Sequence, residues 1–214
     1  MTDIAVIDYG MGNLRSVSKA LEHVAPGKIV TVTSDPALIA GAERVVFPGQ
    51  GAMPDCVREL DARDLRAAVV DAAAGKPFLG ICIGLQLLFE HSEEGDAAGL
   101  GILPGRVKRF TSDMRDTAGQ KLKVPHMGWN QVYRQDSAHP LWAGIEDGER
   151  FYYVHSYYVE PAESELTAGI SEYPARFTSV VARDNIFAVQ FHPEKSHRAG
   201  LQLLSNFVQW NGRP

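Results

Sequence analysis

Cys82 stands between two glycines in Gly80-Ile81-Cys82-Ile83-Gly84, with the apolar run Pro77-Phe78-Leu79 before it and Leu85-Gln86-Leu87-Leu88-Phe89 after it. A side chain projected from a sharp strand-to-helix turn needs small neighbours, and glycines two residues before and after supply that room. A helix starting just after Cys82 also sets its positive dipole end and free backbone N–H groups beside the sulfur. The spacing predicts a nucleophile. A thiol nucleophile needs a base, and the base needs a third group to orient it. His192-Pro193-Glu194 offers both. Proline biases the preceding residue towards extended backbone, where residues two apart project to one side, so Glu194 is expected to hold one nitrogen of His192. A tetrahedral intermediate needs N–H donors for its oxyanion. Ile83, next after the nucleophile, supplies one, and the turn Pro48-Gly49-Gln50-Gly51 supplies a second from Gln50 or Gly51.

These groups have to be carried to one place, and the first half of the chain has the pattern to do it. Ile4 to Ile7, Lys28 to Thr33 and Arg44 to Phe47 read as strands, and Leu14, Val17, Leu21 and Val24 recur at helical spacing. Ser34-Asp35-Pro36 reads as a helix cap with proline at the first helical position, and Pro48 to Met53 as a glycine-rich turn. Leu65 to Ala72 marks a helix ended by Gly75, and an amphipathic helix is expected from the elbow through Phe89. Alternating strands and helices predict a mostly parallel sheet covered on both faces, whose sites lie at the carboxyl ends of the strands. Later, Glu93 to Gly99 reads as a loop. Arg106 to Phe110, Phe151 to Val159, Val180 to Ala182 and Ile186 to Phe191 read as strands, the last two joined by a tight turn at Arg183-Asp184-Asn185. This part is expected to be mixed or antiparallel, with a closing helix from Ala199 to Trp210.

The 214 residues suit one domain spanning 1–214, and the net charge of -5 gives no basic patch for nucleic acid. No apolar run reaches the roughly 18 residues of a membrane span, and the amino terminus lacks a signal-peptide pattern, which predicts a cytoplasmic protein. Two cysteines, Cys56 and Cys82, make no disulfide framework, and no spacing suggests a metal site. A lone cysteine in an apolar stretch more often packs as a small hydrophobe. Its conjunction with the His-Pro-Glu segment favours catalysis.

Phe47-Pro48-Gly49-Gln50-Gly51, Gly80-Ile81-Cys82-Ile83-Gly84-Leu85-Gln86 and Phe191-His192-Pro193-Glu194-Lys195-Ser196 together resemble, in order and spacing, the class I glutamine amidotransferase family. Asp8-Tyr9-Gly10-Met11-Gly12-Asn13, Pro125-His126-Met127-Gly128-Trp129-Asn130 and Tyr153-Val154-His155-Ser156-Tyr157 narrow the resemblance to the glutaminase subunits of imidazole glycerol phosphate synthase. It covers nearly the whole chain. Ile83 departs from the leucine or valine common there, but only its backbone N–H is used. The resemblance implies a flavodoxin-like α/β fold and hydrolysis of L-glutamine to glutamate and ammonia through a thioester on Cys82. His192 would act as base and acid, Glu194 would orient it, and no cofactor would be needed. Gly51 and Gln86 would contact glutamine, and the backbone at Ser156 and Tyr157 would read its amino-acid end. The partner implied is a cyclase subunit of (β/α)8-barrel type, forming a heterodimer. It would use the ammonia to make imidazole glycerol phosphate and aminoimidazole carboxamide ribotide in histidine biosynthesis. Gly10, Asn13, His126, Met127, Trp129 and Asn130, with the turn holding Gln50, would face that partner. Rival readings are a glutaminase subunit of another amidotransferase, a γ-glutamyl hydrolase, or a thiol-sensing interaction protein in which Cys82 is oxidised.

Overall fold

Strands β1 (Ile4–Ile7), β2 (Val30–Thr33), β3 (Arg44–Gly49) and β4 (Phe78–Cys82) alternate with helices α1 (Leu14–Val24), α2 (Pro36–Gly41), α3 (Met53–Ala62) and α4 (Arg66–Gly75). One helical turn, α5 (Ile83–Gln86), follows β4 and leads into β5 (Phe89–Ser92), β6 (Ala97–Ala98) and β7 (Leu103–Arg109). Then come β8 (His126–Arg134), β9 (Glu149–His155), β10 (Tyr157–Pro161), β11 (Thr167–Glu172), β12 (Arg176–Arg183), β13 (Ile186–Val189) and α6 (His197–Gln209). The computed structural model describes residues 2–115, 119–135 and 138–214.

β2, β1, β3, β4 and β13 lie side by side and parallel. Buried along their whole length, β1, β4 and β13 are apolar on both faces, as strands covered by helices on both sides must be. From β13 outward the pairing turns antiparallel through β12, β10 and β7, and β11, β8 and β9 branch off β12. Phe47 and Phe78 are fully buried with ring centroids 6.0 Å apart, and each such burial stabilises the core by about 1.5–3 kcal/mol.

The register sets the site. Gly49 lies opposite Cys82 and Val189 opposite Ile81, so β3, β4 and β13 finish together at one edge. At the other end, side-chain donors close the helix carboxyl ends, whose last carbonyls lack partners. Arg44 Nη1 donates to Phe207 O and Trp210 O, both at 3.0 Å. Asn185 Nδ2 donates to Ala73 O and Lys76 O, and Lys76 Nζ to Ala40 O and Ala42 O. Among the described residues no helix is long and apolar enough to cross a membrane.

Several sequence expectations change. The elbow helix stops after one turn, at Gln86, and the chain from Ile83 to Phe89 is buried throughout. The carbonyls of Leu87, Leu88 and Phe89 accept instead from the backbone of residues 100–103, and β5 begins at Phe89. Pro48 and Gly49 belong to β3, and the turn beyond them is only Gln50 to Ala52. Helix α3 starts at Met53, a helix the apolar periodicity did not reveal. The segment read as a loop at 93–99 carries β6, and the long strand expected over 151–159 is broken at Ser156 into β9 and β10.

Candidate active site

β4 delivers Cys82 to the sheet edge in a conformation that non-glycine residues rarely adopt, φ 55° and ψ -108°. Such backbone costs roughly 1–3 kcal/mol and persists only where its surroundings enforce it. Here the two glycines let the turn press against its neighbours. A Cβ at Gly84 would fall on the carbonyl oxygen of Phe47, and one at Gly80 would lie 2.9 Å from Ala188 Cβ. Since a backbone carbonyl in β3 cannot yield, Gly84→Ala is expected to lose about 3 kcal/mol or more. Denaturant unfolding measures this, and an unchanged midpoint would mean that the elbow does not bear on β3.

The end of β13 brings His192 beside the elbow. Its N–H donates to Tyr152 O at 2.9 Å, and its carbonyl accepts from Ser196 Oγ at 2.6 Å. Ser196 Oγ in turn accepts from Tyr152 N at 2.9 Å, so β9 holds the backbone of the base at both ends. Glu194 does not lie in the extended chain expected from the proline spacing. It lies in the 3-10 turn Pro193–Lys195, which swings its carboxylate back to 2.9 Å from His192 Nδ1. Both side chains are almost fully buried. His192 Nε2 has no hydrogen bond in this geometry. Burial opposes charge on the ring, but the nearby Cys82 and the bond to Glu194 outweigh it and raise His192 to about 10. Ring nitrogen NMR shifts are therefore expected to report an imidazolium at about pH 8, above the ordinary histidine range. Removing the carboxylate partner by Glu194→Gln should bring that titration down by about one to two units. A ring that titrates near its free value in both proteins would refute the ion-pair reading.

A cavity of about 230 Å³ opens over these groups, lined by Gln50, Gly51, Cys82, Ile83, Gln86, Ser156, Tyr157 and His192. Every expected oxyanion and substrate residue is on its wall, and Glu194 stands behind His192. Ile83 N belongs to the first turn of α5, where amides have no intrahelical acceptor. Across from it, Gly51 adopts φ 113°, and Gln50 O lies 3.8 Å from the thiol of buried Cys56, which burial pushes up to about 11.

Three polar residues at the site escaped the sequence reading. Gln190 Nε2 approaches Cys82 Sγ at 3.7 Å, and Gln190 Oε1 accepts from Gln86 Nε2 at 3.1 Å. Gln190 precedes His192 by two, which in the strand expected over 186–191 would set the two on one side, although β13 itself ends at Val189. Glu94, in the segment read as a plain loop, lines the cavity while accepting from Met53 N at 2.7 Å. His155 also lines it.

The residues expected to face a partner divide. Gly10 is exposed, Asn13 lies at the start of α1, and Met127 and Trp129 are 62% and 41% exposed on β8. The Trp129 ring stacks on His197 with centroids 5.0 Å apart. His126 differs from these. It is buried, because neighbouring strand residues point to opposite faces and Met127 and Trp129 occupy the outer one. Asn130 shares the inward side of His126 and is half-buried.

The family model for "Glutamine amidotransferase class-I" matches residues 5–210. The "Imidazole glycerol phosphate synthase subunit HisH" of Nitrosospira multiformis is 69% identical over 211 residues, covering 98% of this chain and 99% of the relative. That of Thiobacillus denitrificans is 69% identical over 98% of this chain and 92% of the relative. Among solved structures, the glutaminase domain of Trypanosoma brucei CTPS with bound acivicin superposes with TM-score 0.67 at 17% identity, covering 99% of this chain and 95% of that one. PurLQS from Thermotoga maritima gives TM-score 0.65 at 18% identity, covering 98% of this chain and 99% of that one. Likeness at that distance speaks to the fold alone, whereas identity above two thirds along nearly the full length shows the family. The chain belongs to the class I glutamine amidotransferases and, within them, to the family of HisH subunits of imidazole glycerol phosphate synthase.

Proposed function

We propose that the cavity binds L-glutamine and that Cys82, His192 and Glu194 hydrolyse its side-chain amide. The observation that carries this is the 2.9 Å bond from His192 Nδ1 to Glu194 Oε1 beside a cavity lined by both Cys82 and His192. With the proton on His192, the sulfur attacks the amide carbon and the carbonyl oxygen becomes an oxyanion. Backbone N–H groups of Ile83 and of Gln50 or Gly51 receive that charge. His192 gives its proton to the departing nitrogen, the C–N bond breaks, and ammonia leaves a thioester on Cys82. Water then attacks the thioester as His192 takes its proton. A second oxyanion collapses to glutamate and the sulfur is regenerated. Glu94, a carboxylate on the cavity wall, suits the α-ammonium group, and the bend at Ser156 and Tyr157 suits the amino-acid end. One domain spanning 1–214 performs this.

The ammonia is consumed by a cyclase subunit of (β/α)8-barrel type in a heterodimer, where imidazole glycerol phosphate and aminoimidazole carboxamide ribotide are formed. Gly10, Asn13, Met127 and Trp129 serve as contacts, with the exposed tryptophan as the anchor. Ammonia release from glutamine, measured on the chain alone and with the cyclase subunit plus its nucleotide ligand, tests the whole reading. Release is expected to be low alone and high with both. Fast release without the partner would point to another glutaminase or a γ-glutamyl hydrolase, and none under any condition would leave the thiol-sensing reading.

A further inference from the structure

Two buried histidines that the reaction above does not use, His155 on the cavity wall and His126 outside it, form one hydrogen-bonded row. Asn130 Nδ2 lies 3.3 Å from His126 Nε2, His126 Nδ1 lies 2.8 Å from His155 Nε2, and His155 Nδ1 lies 2.8 Å from Tyr157 O. A carbonyl can only accept, so the row has one proton arrangement. His155 carries hydrogen on Nδ1 and accepts at Nε2. His126 must then donate from Nδ1 and accept at Nε2 from the Asn130 amide. Both rings are neutral, since burial lowers His126 to about 4 and His155 to about 3, the latter helped by the neighbouring His126. The His126 ring is stacked between Tyr153 and Tyr173, at 5.0 and 4.0 Å, which fixes its orientation.

The row ends on the atom that also anchors Gln86. Tyr157 O accepts from Gln86 Nε2 at 3.1 Å, and the other amide hydrogen goes to Gln190 Oε1. With both hydrogens used, Gln86 Oε1 is left buried and without a partner at the cavity wall. A side-chain amide can be turned end for end at little steric cost, so something must choose between an oxygen and an NH2 group facing the ligand. We propose that His126, which does not line the cavity, is a positioning residue for glutamine. Through His155 it holds the Tyr157 carbonyl where it takes a Gln86 hydrogen, and so presents Gln86 Oε1 as an acceptor for an N–H group of the substrate. This rests on the glutamine reading of the cavity.

The test uses glutamine protection of Cys82 against alkylation by iodoacetamide, a binding readout that needs neither turnover nor partner. His126→Phe keeps a stacking ring but removes the donor, and His126→Asn keeps an amide nitrogen near the place of Nδ1. Losing the donor leaves a buried acceptor unsatisfied, so half-protection in His126→Phe is expected to need roughly tenfold more glutamine, and in His126→Asn less than about threefold more. Ring nitrogen NMR of the unsubstituted protein should show His155 protonated at Nδ1. Unchanged protection in His126→Phe, equal loss in both variants, or a His155 proton on Nε2 would each overturn the inference while glutamine still protects the parent. Absence of protection in the parent would overturn the glutamine reading and this inference with it.

Discussion

Cys82→Ala is expected to lower glutamine hydrolysis in the complex by a factor on the order of 10⁴ to 10⁶, the usual consequence of removing a triad nucleophile. The same position should invert an ordinary stability order. In a regular element alanine is more stable than glycine by about 0.5–1 kcal/mol, because glycine loses more backbone entropy on folding. At φ 55° and ψ -108° the Cβ is the problem, and glycine relieves a strain of roughly 1–3 kcal/mol. Cys82→Gly should therefore unfold at higher urea than Cys82→Ala, with both variants inactive. Alanine ahead of glycine would show that the elbow is not strained, whatever the activity.

Stability is expected to fall on both sides of neutrality, for opposite reasons. His126 and His155 have folded values lowered to about 4 and about 3, against about 6.5 when unfolded. Between those values the unfolded chain binds more protons, so stability decreases as pH falls through the window. The limiting slope is about 1.4 kcal/mol per pH unit for each histidine, and His126→Phe should remove one contribution. His192 acts in the other direction. Its folded value is raised to about 10, so its contribution is complete below about 6.5 and is lost as pH rises towards 10. Urea midpoints across this range measure both arms. A midpoint that held steady from about pH 6.5 down to 5 would contradict a neutral, buried pair.

The parts of the site legible in the sequence were those where chemistry constrains neighbours. Glycines at 80 and 84 are demanded by contact with β13 and β3, so their spacing around Cys82 carried the elbow. His192 and Glu194 were found for a partly mistaken reason, since a 3-10 turn rather than an extended chain makes their bond. What stayed hidden depends on pairing between distant segments. β8 and β11 contain glycine, and β8 also has buried polar groups, so their alternation is blurred; it is resolved only when β9 and β12 lie alongside. Glu94 looked like one more charge in a polar loop until α3, itself unseen, placed an amide beside it. His126 was grouped with Met127 and Trp129 by proximity along the chain, where strand geometry separates them.

The clamps at the far end of the sheet bear on how long the bent elbow lasts. β4 is hydrogen-bonded on both edges, to β3 and β13, and Arg44 and Asn185 tie the beginnings of those two strands to the ends of α6 and α4. Local fluctuations draw on segments with few buried contacts and free edges, and this ladder has neither. Cys82 cannot relax its backbone by breathing. The lifetime of the contorted nucleophile is that of the sheet itself, so its strain lowers the barrier and stability of global unfolding rather than residing in a part that can move on its own.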